Sequence, residues 1–165
     1  MRRQVVGMLT TGIMVLSCQS AIAATTVKDD RTGDAPARID ATRARYTYGD
    51  GTVKVTARIP NLGNSGNAAL SITRFEIFEA GYVVRIVKRQ GQAPRVRLFY
   101  FNHFELEPRR CGDVNGQWNR QQSIRLVVST ACLDGHARRN IFVQFGIAKR
   151  RDVDRVPAVR NLRRD

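Results

Sequence analysis

The two histidines of this sequence, and the acidic residues near one of them, have the chemistry needed for acid–base catalysis or metal binding. His103, Glu105 and Glu107 alternate along one segment, so on a β-strand their side chains share one face. The other histidine, His136, lies in an Asp-Gly-His segment that is typical of a turn. Imidazole and carboxylate groups bind metal ions and exchange protons with substrates. A small extracellular hydrolase or metal-dependent enzyme around His103, Glu105 and His136 is therefore one of two functions that the sequence raises.

The spacing of these residues does not favour that enzyme. Ligands at i and i+2 of one strand close a metal site only with help from other segments. The sequence contains no G-x-S-x-G, no H-E-x-x-H and no phosphate-binding glycine-rich loop. We therefore predict a non-catalytic protein, and we expect no catalytic residue, no metal ion and no cofactor.

Arginine dominates the charge of the chain and points to the other function. Lys and Arg number 28 against 14 Asp and Glu, which gives a formal net charge of +14. Guanidinium groups pair with carboxylates and phosphates through two parallel hydrogen bonds, so an arginine-rich surface attracts polyanions. We predict a binding module for anionic or carbohydrate polymers, such as an anionic cell-wall polymer or polysaccharide. The residues predicted to bind the polyanion are Arg43, Arg45, Arg58, Arg85, Arg95, Arg97, Arg125, Lys149, Arg150 and Arg151.

The abundance of arginine is also compatible with a surface that binds no ligand. The outward positions of any strand must be polar, and a G+C-rich genome supplies arginine at such positions without a partner. Nucleic acid is not expected as the partner, because the chain has export features and lacks an aromatic-basic RNA-binding motif.

The first 23 residues have the pattern of an export signal. Arg2 and Arg3 precede an apolar stretch at residues 5–16, and Ala21-Ile22-Ala23 has the small residues of a cleavage site. Cleavage there removes two positive charges, so the net charge becomes 14 − 2 = +12. The apolar stretch is shorter than the about 20 residues that a membrane span needs, and no later stretch approaches that length. We therefore predict a secreted protein whose mature chain has no transmembrane segment.

The three cysteines fit this compartment. Val15-Leu16-Ser17-Cys18 resembles a bacterial lipobox, so lipid anchoring at the cell envelope through Cys18 is the alternative to free secretion. Cys111 and Cys132 remain, and two cysteines in an exported domain favour a disulfide over a metal site. Their separation of 132 − 111 = 21 residues predicts a stabilisation of roughly 3 kcal/mol by the chain-entropy model.

The elements that must position these residues are strands. Residues 52–59 alternate apolar and polar side chains, and Gly49-Asp50-Gly51 before them is typical of a hairpin turn. Further strands are predicted at residues 70–78, 82–88, 95–106, 124–129 and 141–147, with a turn at Ala80-Gly81. No segment has a helical repeat. The pattern predicts an all-β protein, an antiparallel β-sandwich of jelly-roll or immunoglobulin-like type with seven or eight strands.

The aromatic residues fit this fold in two ways. Phe99, Tyr100 and Phe101 follow one another, so their rings point to both faces of a strand, and Trp118 lies in a Gly/Asn-rich segment predicted to be a loop. These rings could form a platform on which sugars stack. We interpret them instead as core residues, with Trp118 packing beside the disulfide.

The chain length of 165 residues corresponds to one domain. We place a signal peptide at residues 1–23, a polar lead-in at 24–38, the β-sandwich at 39–148 and a basic tail at 149–165. Asp29, Asp30, Asp34 and Asp40 have the hard oxygen ligands that Ca²⁺ prefers, but they lack EF-hand spacing, so we interpret the lead-in as a linker. The tail, with seven basic and three acidic residues, is predicted to be solvated and to bind polyanions by itself.

Two groups of residues carry a family resemblance. Gly33-Asp34 and Ile39-Asp40 precede a hairpin with outward arginines, and Cys111-Gly112, Trp118 and Cys132-Leu133 follow later. This layout resembles uncharacterised secreted bacterial β-sandwich proteins similar to DOMON domains and family-9 carbohydrate-binding modules. DOMON domains and family-9 modules bind sugars or haem, but what the resemblance implies for this chain is the sandwich fold more than any activity. All three methionines lie in residues 1–14, so a His/Met haem site of the related cytochromes is not expected.

Overall fold

Two antiparallel sheets packed face to face make up the computed structural model of this chain, which describes residues 23–74, 77–103, 105–119, 122–135, 137 and 140–164. The strands, in chain order, are β1 (Ala24–Asp29), β2 (Arg43–Gly49), β3 (Thr52–Arg58), β4 (Gly66–Arg74), β5 (Ile77–Lys88), β6 (Arg95–Asn102), β7 (Glu105–Arg109), β8 (Val114–Asn119), β9 (Ser123–Ser129), β10 (Asn140–Lys149), β11 (Asp152–Arg155) and β12 (Val159–Arg163). A short 3₁₀ helix, Thr130–Leu133, follows β9. The predicted all-β antiparallel sandwich is confirmed.

The smaller sheet has five strands in the order β1-β2-β3-β9-β8. The larger sheet has the order β11-β10-β4-β5-β6-β7, with β12 also paired to β10. Alternating residues of the facing strands fill the space between the sheets, as the period-2 pattern predicts. The largest fully buried side chains are Tyr46, Tyr48, Tyr82, Phe145, Ile39, Ile59, Leu70, Ile72, Ile86, Ile124, Leu126 and Leu133.

A buried tyrosine links the two sheets by a hydrogen bond. The hydroxyl oxygen of Tyr46 on β2 accepts a hydrogen bond from the backbone nitrogen of Phe145 on β10, at 3.0 Å. Burial raises the pKa of Tyr46 to about 12. The hydrogen bond ties β2 of the smaller sheet to β10 of the larger sheet inside the core.

The predicted disulfide between Cys111 and Cys132 is present, with Cα atoms 5.9 Å apart. Cys111 lies between β7 and β8, and Cys132 lies in the 3₁₀ helix after β9. The bond therefore joins the two ends of the β8–β9 hairpin. The hairpin turn before β3 is also confirmed, since Asp50 and Gly51 both adopt positive φ angles, 50° and 68°.

The predicted turn at Ala80-Gly81 is wrong, because both residues lie inside β5. Gly81 is paired with Thr73 of β4 and Phe101 of β6. A Cβ atom at Gly81 would lie 2.4 Å from the carbonyl oxygen of Ile72. Glycine is needed here for the close approach of two strands, which the sequence alone cannot distinguish from a turn.

The predicted long strand at 95–106 is two strands. His103, with a φ of 54°, lies in the turn between β6 and β7.

Trp118, predicted in a loop, lies in β8 and is buried, and its indole nitrogen donates a hydrogen bond to the Gly63 carbonyl at 2.8 Å. The described residues form twelve strands, more than predicted, because several edge strands are short and polar.

The lead-in and the tail belong to the sandwich. Residues 24–29 form β1, which pairs with β2, so this part of the lead-in is not a linker. The tail is not solvated, because β11 and β12 both pair with β10 and because Val156, Val159 and Leu162 are buried. Both segments are too polar and too short for alternation to identify them as strands.

The signal peptide at 1–23 and the lipidation candidate Cys18 lie outside the described residues, apart from Ala23. Within the described part of the chain, no helix has both the length and the apolar character that crossing a membrane requires.

Candidate functional site

The ten residues predicted to bind a polyanion lie in three separate places. Four arginines lie on the outer face of the five-stranded sheet, where Arg43 is paired with Arg58, and where Arg45 and Arg125 flank Thr56. Three others, Arg85, Arg95 and Arg97, lie on the outer face of the larger sheet. The remaining three lie where β10 turns into β11: Lys149 ends β10, and Arg150 and Arg151 form the turn. The predicted arginines therefore do not share a single sheet face.

The arginines on the five-stranded sheet are spread out and partly neutralised. Arg43 forms an ion pair with Asp29 of β1, with 2.6 Å between its Nε and the carboxylate. The cavity on this face has a volume of about 230 Å³, and Arg125 is the one basic residue among the described residues that line it.

A groove on the outer face of the larger sheet collects the most uncompensated positive charge. It has a volume of about 480 Å³ and lies over β5, β6 and the turn that joins them. We call it the basic groove, and its lining residues are Gly66, Asn67, Arg85, Val87, Lys88, Arg89, Gln92, Ala93, Arg95, Arg97 and Phe99. Five of these described lining residues are cationic and none is acidic.

The strand register brings these cations together. Arg85 of β5 is directly opposite Arg97 of β6, and Val87 is opposite Arg95. Like charges at directly opposite positions destabilise a sheet, and among the described residues no carboxylate forms an ion pair with either arginine. The Arg85 guanidinium reaches a neutral partner, the side-chain oxygen of Asn67 at 3.5 Å.

Lys88 and Arg89 complete the groove at the end of β5. The Lys88 ammonium donates to the carbonyl oxygen of Gln92 across the turn. Neither residue forms an ion pair with any described carboxylate. Sequence reasoning missed both, because neither lies at a strand position that alternation marks as outward. An anion bound here would meet five cations that have no anionic partner among the described residues.

The groove also has an apolar wall. Phe99 is half-buried in its lining on one side of the Arg85–Arg97 pair, and Val87 lines it on the other side. Tyr100 points the other way and packs edge-on against Tyr82, with ring centroids 5.3 Å apart. Of the four aromatic residues singled out in the sequence, only Phe99 is among the described residues that line the groove.

The described residues do not assemble the predicted site of His103, Glu105 and His136. His103 is exposed in the β6–β7 turn, with its Nε2 3.3 Å from the Glu79 carboxylate and its Nδ1 2.9 Å from the side-chain oxygen of Asn102. Glu105 is exposed on β7, and His136 lies outside the described residues. Within those residues, no three His, Cys, Asp or Glu side chains are placed to hold a metal ion.

Several aspartates face one another at the end of the sandwich where β11 meets the loop after β1. Asp154 accepts a hydrogen bond from the backbone nitrogen of Ala41 at 2.7 Å, and Asp40 accepts one from that of Gly33 at 2.9 Å. Burial raises the pKa of Asp154 above its usual value, and the neighbouring aspartates raise it further. The pKa of Asp30 is raised for the same reasons. Sequence reasoning missed Asp154, because the residue lies in the segment predicted to be a solvated tail.

The fold and the site together define an antiparallel β-sandwich with a basic groove on one outer face. No protein-family model matches this chain, and no curated protein and no solved structure is detectably similar to it.

Proposed function

We propose that this protein is a non-catalytic, exported binding module that binds anionic polymers through the basic groove. The observation that carries the proposal is the set of five cations in one groove with no acidic residue among its described lining residues. Arg85 is directly opposite Arg97, and the two positive charges repel each other because no described carboxylate pairs with them. An anion bound between the two guanidinium groups would remove this repulsion.

A polymeric ligand is favoured over a small anion by the distribution of charge. The cations come from β5, β6 and the turn between them, so one small anion contacts only some of them. A polymer with repeated negative groups can contact several of these cations at once. After the first contact forms, the effective concentration of the next negative group is high, so each further contact raises the overall affinity. The partner class that fits best is an anionic cell-wall polymer or polysaccharide.

The exported location rests on the sequence and on the disulfide. The first 23 residues have the pattern of a signal peptide, and Cys18 offers lipid anchoring at the cell envelope as the alternative to free secretion. The bond between Cys111 and Cys132 is of the kind that persists in an oxidising compartment. The resemblance to secreted β-sandwich proteins with carbohydrate-binding relatives points to the same class of ligand.

Retention on a heparin resin tests the proposal, with heparin as a model linear polyanion. The variant Arg95→Gln/Arg97→Gln removes two exposed cations of the groove. We expect it to elute at a clearly lower salt concentration than the unmodified protein, because fewer contacts release fewer counterions. The logarithm of its affinity should also fall less steeply with the logarithm of the salt concentration.

The matched control is Arg45→Gln/Arg125→Gln, which removes two exposed arginines from the opposite face of the sandwich. Both variants have the same net charge, so a difference between them reports location and not charge alone. The proposal fails if the two variants elute together, or if the unmodified protein is not retained at physiological ionic strength.

A further inference from the structure

The basic groove continues across the larger sheet beyond the five cations that define it. A second depression of about 320 Å³ lies over β4, β10 and β11, and it shares Asn67 and Arg85 with the basic groove. Its far side carries Arg155 of β11, and none of the described residues that line it is acidic. The two depressions therefore form one path that crosses the strands.

The strand register aligns this path. Arg155 is paired with Gly146, Gly146 with Ala69, Ala69 with Arg85, and Arg85 with Arg97. Residues directly opposite each other in an antiparallel sheet share one face, so these five residues form one row on the outer surface. Adjacent strands are about 4.8 Å apart, and four steps from β11 to β6 give a row of about 19 Å.

The middle of the row is low and apolar. Gly146 and Ala69 have almost no side chain, and Ala148 lines the same depression on that face, with the polar Ser71 and Gln144 next to them. A ligand can therefore approach the strand backbone between two raised ends that carry guanidinium groups. This combination fits a linear molecule with an apolar face and negative substituents along its length.

We infer that an anionic polysaccharide binds across the strands, with its sugar rings over Ala69 and Gly146 and its anionic groups on Arg155 at one end and on Arg85 and Arg97 at the other. The inference rests on the proposed function and adds the path, the length and the chemical class of the ligand. Polyphosphate also supplies negative charge, but it has no apolar face to cover the middle of the row.

Binding of heparin oligosaccharides of increasing length, from disaccharide to octasaccharide, tests the path at one fixed low ionic strength. Affinity should rise with length until the oligosaccharide spans about 19 Å and should then level off. Arg155→Gln should weaken binding of the octasaccharide roughly fivefold, which corresponds to about 1 kcal/mol, and should leave the disaccharide unchanged. The control Arg160→Gln removes an exposed arginine of β12 that lines neither depression.

A second variant changes shape and not charge. Ala69→Leu raises the middle of the row, so it should weaken the octasaccharide while polyphosphate binding stays the same. Thermal unfolding of each variant shows that the fold is intact. Equal loss for polyphosphate and octasaccharide would overturn the choice of polysaccharide.

The outcomes separate this inference from the proposed function. If Arg155→Gln and Ala69→Leu are both without effect while Arg95→Gln/Arg97→Gln still weakens binding, the ligand does not cross the strands and only the inference is wrong. If none of these variants changes affinity, the proposed function is wrong as well.

Discussion

Leu162 tests whether the C-terminal segment is part of the sandwich. Its side chain is 1% exposed, and the residue is paired with Ile141 of β10. Strand β12 belongs to the larger sheet and also lies close to β1 and β2 of the smaller sheet, so it helps to cover the core at that edge. A solvated tail predicts no change in stability for Leu162→Ala, whereas the packed strand predicts a large one.

The expected magnitude follows from the burial. Replacing a fully buried leucine by alanine costs about 2–5 kcal/mol, with the larger values where the cavity cannot collapse. For a domain of this size, 1 kcal/mol corresponds to a Tm change of about 3 °C, so the Tm should fall by roughly 6–15 °C. Urea unfolding should give a lower midpoint with an unchanged slope, because the surface exposed on unfolding is nearly the same.

Arg160→Ala is the control, because Arg160 is exposed on the same strand. Substitutions of this kind usually stay within about 0.5 kcal/mol. A change of less than about 0.5 kcal/mol for Leu162→Ala would refute the packed position of β12. If the large loss is found, removing residues 149–165 also removes core side chains, so a truncation there does not isolate polyanion binding by the C-terminal segment.

Three further predictions concern single contacts. Gly81→Ala should lower the free energy of unfolding by about 2 kcal/mol or more, because the new Cβ meets the Ile72 carbonyl oxygen at 2.4 Å; urea unfolding measures this. Replacing Cys111 and Cys132 by serine should cost roughly 3 kcal/mol on the chain-entropy model, seen as a lower Tm that reductant no longer changes. Asp30→Asn should raise the Tm at pH 7 but not at pH 3. Burial raises the pKa of Asp30 in the folded protein, so the folded state loses stability as the pH rises above about 3.8 and the carboxyl must ionise. A gain in Tm that persists at pH 3 would contradict this reasoning.

The core strands are predictable because their two faces meet different environments. Residues 52–59 alternate so regularly that the buried side of β3 is evident from the sequence, and the turn before it carries the Asp-Gly pair that a hairpin favours. The disulfide follows from the count of cysteines that remain once the predicted signal peptide is set aside. Each of these inferences needs only the local sequence or the cellular compartment that the sequence predicts.

The edge strands are not predictable by the same reasoning. All five residues of β7 are exposed, and β11 has one buried residue in four, so neither shows alternation. Edge strands commonly carry charged side chains that prevent pairing with other molecules. Their sequences therefore have the polar composition of loops or tails. This is why the sequence predicts a solvated segment where Asp152–Arg155 forms a strand.

The groove itself depends on information that alternation does not contain. Alternation with a period of two residues shows only that a side chain points outward. A sandwich has two outward surfaces, one on each sheet, and alternation does not show which of them the side chain lies on. Arg45 and Arg97 have the same pattern in the sequence, yet the strand order places one on each surface. Arg155 reaches the row only because β11 folds back on β10, with Gly146 as its partner. Composition alone can predict a basic surface. The alignment of its charges across strands is a property of strand pairing, so the path proposed for a ligand follows only from the register.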